Sequence, residues 1–509
     1  MVAAAARPSG AGGLRRGRAA VGRGGARLEP PLEPSPVPGG PGGGRGVRAV
    51  RELTVVGAGL AGSEAAWQAA ERGCRVVLHE MRPVRMTPAH RTAGCAELVC
   101  SNSLRGAGLE HAVGLLKEEM RRLGSLVLAA ADACAVPAGA ALAVDRDAFS
   151  ARVTAALERH PRIRLCRDVV TDIPSGPCVI ATGPLTAPEL GAAVTALLGQ
   201  EALSFYDAAA PIVTAESIDW SGVYRASRYG KGGDDAYVNC PLTPEGYRAF
   251  REALCTAEAA PREAFDPVPF FEGCLPLEEL ARRGEDTLRF GPLKPVGLPD
   301  ARTGRLPYAV LQLRSENTAG TLYNLVGCQT SLRFGEQRRV FRLVPGLAQA
   351  EFERYGVMHR NTFLRSPTCL WPTLQCRRRP DLWFSGQMTG VEGYVESAAS
   401  GLVAGLGAAA LLHGGAPVAP PAETAIGSLC HYVAGSDARH FQPMNAAFGL
   451  LPPLAVTVRD RQRRRALLAE RALAAVAGYA ARAGAEAPGG AAADPGCAGA
   501  AGDGERASG

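Results

Sequence analysis

The chain has 509 residues, 47% hydrophobic, 21% charged and only 6% aromatic, with a formal net charge of +7. That length favours two or three domains, or one large domain carrying an insertion, and it builds a core without disulfide staples. The 62 Gly and 38 Pro exceed an average share of about 12%, but the excess sits at the two ends, which excludes collagen-like and wholly disordered classes. The longest apolar stretch, about 401–412, falls short of the roughly 20 residues a spanning helix needs, which excludes a multi-span membrane protein.

Residues 1–49 carry eight Arg (Arg7, Arg15, Arg16, Arg18, Arg23, Arg27, Arg45, Arg48), two acids (Glu29, Glu33) and almost no large apolar side chain. They cannot bury a core and are expected to be disordered. A start codon placed too far upstream in a GC-rich genome, an RNA-attracting basic tail and a transit peptide all fit this composition. Without these residues the charge is +1, so nucleic-acid affinity in the folded part must come from local patches. Fourteen cysteines are scattered with no C-x-x-C pair, so no metal site is expected. With no hydrophobic signal segment, free thiols in a reducing cytoplasm are the natural reading, most of them inert core residues.

The folded region starts with the β-type run Leu53–Val56, followed by a Gly-rich turn and helical spacing over Ser63–Arg72. Gly73 ends that helix, and Cys74–His79 reads as a second strand. Further strands are expected at Cys178–Ala181, before Thr182-Gly183-Pro184, and at Leu382–Ser385, before Gly386-Gln387. Between them, about 204–327, lie mixed strands and loops. This order predicts an α/β fold: a two-part Rossmann-like FAD-binding domain interrupted by an α+β insertion domain. The expected boundaries are 1–49 tail, 50–203 first part, 204–327 insertion, 328–480 second part with C-terminal helices, and 481–509 disordered tail.

Gly57-Ala58-Gly59-Leu60-Ala61-Gly62 matches G-x-G-x-x-G between a strand and a helix. Gly57 permits the tight turn, Gly59 lets the backbone approach a pyrophosphate, and Gly62 lets the helix pack on the strand. The helix N-terminus then offers N–H groups and a positive dipole end to the phosphates. Glu80 closes the second strand, where a carboxylate can hold the ribose hydroxyls. The Ala181-Thr182-Gly183 element and the later Gly386-Gln387 element belong to a second cofactor-binding half, which favours FAD over NAD.

Longer strings go further: Ala96-Glu97-Leu98-Val99-Cys100-Ser101-Asn102-Ser103-Leu104-Arg105, Phe205-Tyr206-Asp207-Ala208-Ala209-Ala210-Pro211, Phe271-Glu272-Gly273-Cys274, Phe290-Gly291-Pro292-Leu293-Lys294-Pro295, Tyr355-Gly356-Val357-Met358-His359-Arg360-Asn361 and Gly390-Val391-Glu392-Gly393-Tyr394-Val395-Glu396-Ser397. Over about residues 52–455 the chain resembles the bacterial folate- and FAD-dependent tRNA (uracil-5-)-methyltransferases. Flavoproteins that modify the wobble uridine of tRNA share the FAD fold and the Pro443-Met444-Asn445 region, but the Cys100 and Cys274 strings are not their hallmarks. Ala447 stands where that region is expected to carry Asn.

The resemblance implies transfer of a one-carbon unit from 5,10-methylenetetrahydrofolate, via reduced FAD, to C5 of the T-loop uridine (position 54) of tRNA, with NAD(P)H as reductant. Uracil C5 is a poor nucleophile. A thiolate added at C6 makes it enolate-like, and a second group must take the C5 proton. The resemblance places catalytic cysteines at Cys274, as the preferred nucleophile, and at Cys100, as base or flavin-side partner. Their order stays open, and Cys240 is the main competitor. Tyr355 and His359 are candidate platforms for a pterin. Phosphate contacts are expected from Arg282, Arg283, Lys294, Arg333, Arg338, Arg339 and the run Arg459, Arg461, Arg463, Arg464 and Arg465, for which a solvated helix face is the competing reading. Flavin-dependent modification of wobble uridine, or a non-enzymatic tRNA-binding role, remain the alternatives.

Overall fold

A computed structural model of the chain describes residues 51–199, 203–231, 236–260 and 275–484, without the side chains of 203–207 and 359–360. The expectations for residues 1–49 and for the end of the chain beyond 484 lie outside these residues.

The first sheet is parallel. Its strands are β1 (Glu52–Val56), β2 (Arg75–Glu80), β3 (Ile163–Arg167), β4 (Cys178–Ile180) and β5 (Leu382–Phe384), in spatial order β5-β4-β1-β2-β3. In register, Val55 lies beside both Leu78 and Val179, and Val179 beside Trp383. The inner strands read as continuous apolar runs because helices cover both faces. β3 was not expected from sequence. It is an edge strand of sequence Ile163-Arg164-Leu165-Cys166-Arg167, in which Arg164 is exposed and the half-buried Arg167 donates to the Arg82 and Ala93 carbonyls, and the two arginines dilute the apolar signal.

Helix α1 (Leu60–Glu71) packs on α2 (Tyr394–Leu412) through small residues. A Cβ on Gly401 would stand 2.0 Å from the Ala61 carbonyl oxygen, and one on Gly405 would stand 2.5 Å from that of Ala65. Only glycine permits this approach. By length and composition α2 could cross a membrane, longer than the 401–412 stretch read from sequence, but 78% of its apolar window is buried inside the protein. It is the central core helix.

Between β4 and β5 the chain forms a six-stranded antiparallel sheet. Its strands run Tyr224–Arg225, Val238–Leu242, Ala309–Ser315, Leu322–Leu325, Ile212–Thr214 and Phe352–Arg354. Helices Pro244–Thr256 and Phe334–Phe341 close a separate core around Tyr247, Phe250, Leu311, Leu325 and Phe341. This core takes in Val340 to Ala350, so it runs past the boundary at 327 drawn from sequence. The two chain crossings between the sheets lie side by side as a ribbon, Leu203–Ala208 against Met358–Phe363. A last helix, α3 (Arg461–Arg482), returns against the first domain, burying Leu468, Ala472, Val476 and Tyr479.

Candidate active site

A cleft of about 1250 Å³, counted out to its open mouth, runs along the carboxyl ends of the parallel strands. This is where open α/β sheets bind their ligands. Gly57, Gly59, Leu60, Ala61, Glu80, Gly386 and Gln387 line it, with Cys100 and Tyr394. The sequence placed these residues in five separate segments, and the topology brings them to one cleft.

The three glycines differ in what they do. Gly57 has φ +97°, and a Cβ there would stand 2.7 Å from the Ala181 carbonyl oxygen. A Cβ on Gly62 would stand 1.7 Å from the Gly57 oxygen. Both are required by the protein itself. A Cβ on Gly59 meets nothing within 4 Å, so the space above it is open to a ligand. The first-turn N–H groups of α1 have no intrahelical acceptor, as at any helix start. This cradle fits a pyrophosphate.

Ala58 donates its N–H to Glu80 Oε2 at 2.9 Å, and Arg82 donates Nε–H to Glu80 Oε1 at 2.8 Å. Burial alone would raise the Glu80 pKa, but the hydrogen bonds and charge of Arg82 and the Ala58 N–H together hold it below the usual carboxylate value. Arg82 also reaches Glu97 at 3.0 Å and the Thr92 carbonyl at 3.1 Å, which ties the segment leading to Cys100 against β2. Sequence reading missed Arg82, although it lies two residues from Glu80. At the other wall Gly386 N–H donates to Ser400 Oγ at 2.7 Å, and Gln387 Nε2 donates to Glu392 at 2.7 Å.

Cys100 is half-buried on the cleft wall. The Tyr394 hydroxyl accepts the N–H groups of Cys100 (2.7 Å) and Ser101 (3.2 Å) and lies 2.8 Å from Cys100 Sγ. A hydroxyl has two lone pairs and one proton. With both lone pairs taken, the proton points at sulfur. Burial and the neighbouring thiol raise the Tyr394 pKa well above its ordinary value, so the phenol stays protonated.

The same loop is gripped from the antiparallel domain. Arg314 donates to Asn102 Oδ1 (2.9 Å) and Ser101 Oγ (2.8 Å), and Arg354 donates to the Val99 carbonyl. Arg146 joins the Leu98 carbonyl (2.6 Å) to Glu316 (2.8 Å). Three guanidinium groups thus surround the loop with one carboxylate among them. Burial lowers the Arg354 pKa to about 10, which marks how little water shares its charge. Such a cationic setting favours a thiolate. Tyr394 and these arginines were not singled out from sequence, because their contacts with the loop span from 48 to 294 positions.

Cys274 lies outside the described residues. The chain on either side is anchored: Ala260 N–H donates to the Ser331 carbonyl and Leu277 N–H to that of Gln329, both at 2.7 Å. Thr330 N–H in turn donates to the Ala209 carbonyl, next to Ala208 on the cleft wall. Cys240 faces the antiparallel core with no exposed surface, and burial pushes its thiol pKa up, so it is a core residue and not a reactive one. Tyr355 stacks between Phe334 (4.7 Å) and Phe352 (5.2 Å), which takes both ring faces and removes it as a pterin platform. The His359 side chain is outside the described residues.

The family model described as glucose inhibited division protein A matches residues 52–416. A methylenetetrahydrofolate–tRNA-(uracil-5-)-methyltransferase TrmFO of Symbiobacterium thermophilum is 63% identical over 423 residues, 82% of this chain and 95% of that protein. The Enterococcus faecalis protein of the same name is 56% identical over 421 residues, 83% of this chain and 97% of its own length. The form I crystal structure of Aquifex aeolicus GidA superposes with a TM-score of 0.61 at 17% identity, covering 86% of this chain and 76% of that one, a likeness of fold. From these matches, over nearly the whole length of its relatives, the chain belongs to the methylenetetrahydrofolate–tRNA-(uracil-5-)-methyltransferase family, within the wider glucose inhibited division protein A group.

Proposed function

We propose that this protein transfers a one-carbon unit from 5,10-methylenetetrahydrofolate to C5 of the T-loop uridine of tRNA, with FAD as carrier and NAD(P)H as reductant. The observation that carries the reading is the placement of Cys100 and the dinucleotide cradle in one cleft. Relatives named for this reaction are 56–63% identical, which sets the wobble-uridine alternative aside. A cytoplasmic setting fits the free thiols.

FAD would lie with its pyrophosphate over Gly57, Gly59 and the start of α1, and its ribose toward Glu80. When bound and reduced it supplies the activated carbon and the two electrons that turn a methylene into a methyl. The protein's own groups then do the following. The Cys274 thiolate adds its electron pair to C6 of uracil, and the C5–C6 π pair moves onto C5 and O4. C5 is then nucleophilic toward the one-carbon unit that the reduced flavin would supply and, with its two electrons, release as a methyl. The Cys100 thiolate takes the C5 proton, Cys274 leaves C6 with its electron pair, and the double bond re-forms. The Tyr394 proton and the positive charge of Arg146 and Arg354 near Cys100 are of the sign that favours a thiolate there.

A stem-loop carrying 5-fluorouridine at the target position tests this, because fluorine cannot leave C5 as a proton. The holoenzyme should form an adduct that survives denaturing electrophoresis, and peptide mapping should place the RNA on Cys274. An adduct on Cys100 exchanges the two roles. An adduct on Cys240, or methylation by both alanine variants, overturns the two-thiol mechanism.

A further inference from the structure

Most of the basic residues expected to touch RNA already have partners. Arg282 pairs with Glu279 (2.8 Å), Arg333 with Glu258 (3.1 Å) and Arg339 with Glu336 (2.6 Å), and Arg338 donates to the Tyr355 hydroxyl (2.7 Å). The run at the start of α3 is different. Arg459, Arg461, Arg463 and Arg464 are exposed, and their side chains make no ion pair or hydrogen bond among the described residues.

Their position is costly. Four arginines, Arg461 and Arg463 to Arg465, occupy the first turns of a helix whose opening turn holds no acid, where cations oppose the macrodipole and repel one another. Asp460 caps the helix by accepting the Arg463 N–H at 2.6 Å, so the backbone end is satisfied and the guanidinium groups are left over. A placement that breaks a local rule without an internal gain points to an outside partner.

The arginines edge a groove. Arg461, Arg464 and Arg465 line it with His111, Phe448 and the strip from Leu451 to Leu454. The walls are fixed: Arg465 lies over the Phe448 ring at 5.6 Å and donates to the Glu110 carbonyl at 3.1 Å, while Arg471 donates to the Pro453 carbonyl at 2.9 Å. Glu110 and Asp460 are the acids nearby, against five arginines. One hydrogen bond links the groove wall to the helix that carries Tyr394. Ala446, on its wall, donates its N–H to Glu396 at 2.9 Å, and Glu396 sits two residues from Tyr394 on the first turn of α2.

We propose that this groove holds the phosphate backbone of the RNA substrate and leads the target loop toward Tyr394 and Cys100. The proposal rests on the tRNA-modifying function above and adds the surface that the substrate uses. Fixed walls and unpaired guanidinium groups along a groove suit a polyanion of defined shape better than a single ion.

The test is the triple variant Arg459→Gln, Arg461→Gln, Arg464→Gln as holoenzyme, with full-length unmodified tRNA transcript, its binding measured from 50 to 300 mM KCl. The variant should keep its flavin and thermal midpoint, bind about tenfold or more weakly at low salt, and show a salt slope reduced by about 2. The matching Lys triple variant should restore the slope, because it keeps the charge, which separates a contact from a folding defect. A Gln variant with wild-type Kd and slope, alongside a wild type that methylates the transcript, overturns the groove and leaves the function standing. A wild type that neither methylates nor binds the transcript in a salt-dependent way counts against the function instead.

Discussion

The two domains answer the same physical problem, buried charge, with different mixes of partners. In the parallel-sheet domain, apart from the Glu80–Arg82–Glu97 cluster, backbone groups carry much of it. Glu119 accepts the N–H groups of Ala425 (2.7 Å) and Ile426 (2.9 Å) at the start of one helix, and Glu64 accepts Val127 N–H (3.0 Å) at the start of another. Lys117 donates to the carbonyls of Leu104 and Gly106, both at 2.7 Å. In the antiparallel domain side chains take a larger share: Glu278 accepts the Thr330 and Ser331 hydroxyls beside the Ser331 N–H, and across the domain boundary Glu316 meets Arg146 and Arg314 meets Asn102 of the first domain. The first domain therefore holds a rigid frame made of backbone, suited to a cofactor of fixed shape. The second reaches across with long side chains and sets the electrostatics of a loop that belongs to the first.

That contrast can be broken or sharpened by substitution. The largest effect is expected where the domains meet. Cys100→Ala and Cys274→Ala should each lower methylation at least about 1000-fold with full flavin content. Activity within tenfold of wild type in either would mean that one domain carries the chemistry alone. Next come the glycines. Gly59→Ala should cost about 100-fold or more in FAD affinity while the apo protein melts as wild type, since its Cβ meets only open space. Gly62→Ala should instead lower the melting temperature of the apo protein, because its Cβ strikes the Gly57 oxygen. Equal melting of the two apo variants would erase the distinction between ligand-facing and fold-bearing glycines.

The backbone-satisfied charges predict a pH dependence. Burial, only partly offset by the two N–H groups, raises the Glu119 pKa from 4.5 to about 7. Between those values the folded protein holds a proton that the unfolded chain releases, so stability falls as pH rises, by on the order of 3 kcal/mol. Burial, with Arg105 nearby, lowers the Lys117 pKa from 10.5 to about 7. There the unfolded chain binds the extra proton, so stability rises from pH 7 toward 10.5. Compared with wild type, Glu119→Gln should lessen the fall in urea midpoint between pH 4.5 and 7, and Lys117→Met should lessen any rise between pH 7 and 10.5. A variant whose midpoint runs parallel to wild type across its window would refute that assignment. The smallest expected effect is on Tyr394→Phe, which removes the proton aimed at Cys100 Sγ. Iodoacetamide should alkylate Cys100 in the flavin-free protein up to about tenfold more slowly at pH 7. An unchanged rate would leave the arginines as the sole electrostatic influence on that thiol.

How much of this could be read from sequence follows from range and burial. The βαβ unit was legible because its signal is local: an apolar run, three spaced glycines and an acid at the next strand end. Gly386 and Gln387 were legible as a second local element. β3 was hidden by two arginines that break its apolar run. The extent of the antiparallel domain was hidden because its last strand, Phe352–Arg354, is three residues long and flanked by polar positions. Tyr394 was visible only as a letter in a family string. Its hydroxyl meets Cys100 across 294 positions, and no periodicity reports such a contact.

The glycine seam between α1 and α2 has a consequence for biosynthesis. α1 leaves the ribosome early, but the surface that receives Ala61 and Ala65 is not made until Gly401 and Gly405 follow, after the whole antiparallel domain. A nascent chain can complete its second core first, while the glycine-rich turn still lacks its covering helix and β4 its neighbour β5. The cofactor cleft is therefore among the last parts to close. Truncations upstream of α2 should yield an antiparallel domain without a nucleotide site.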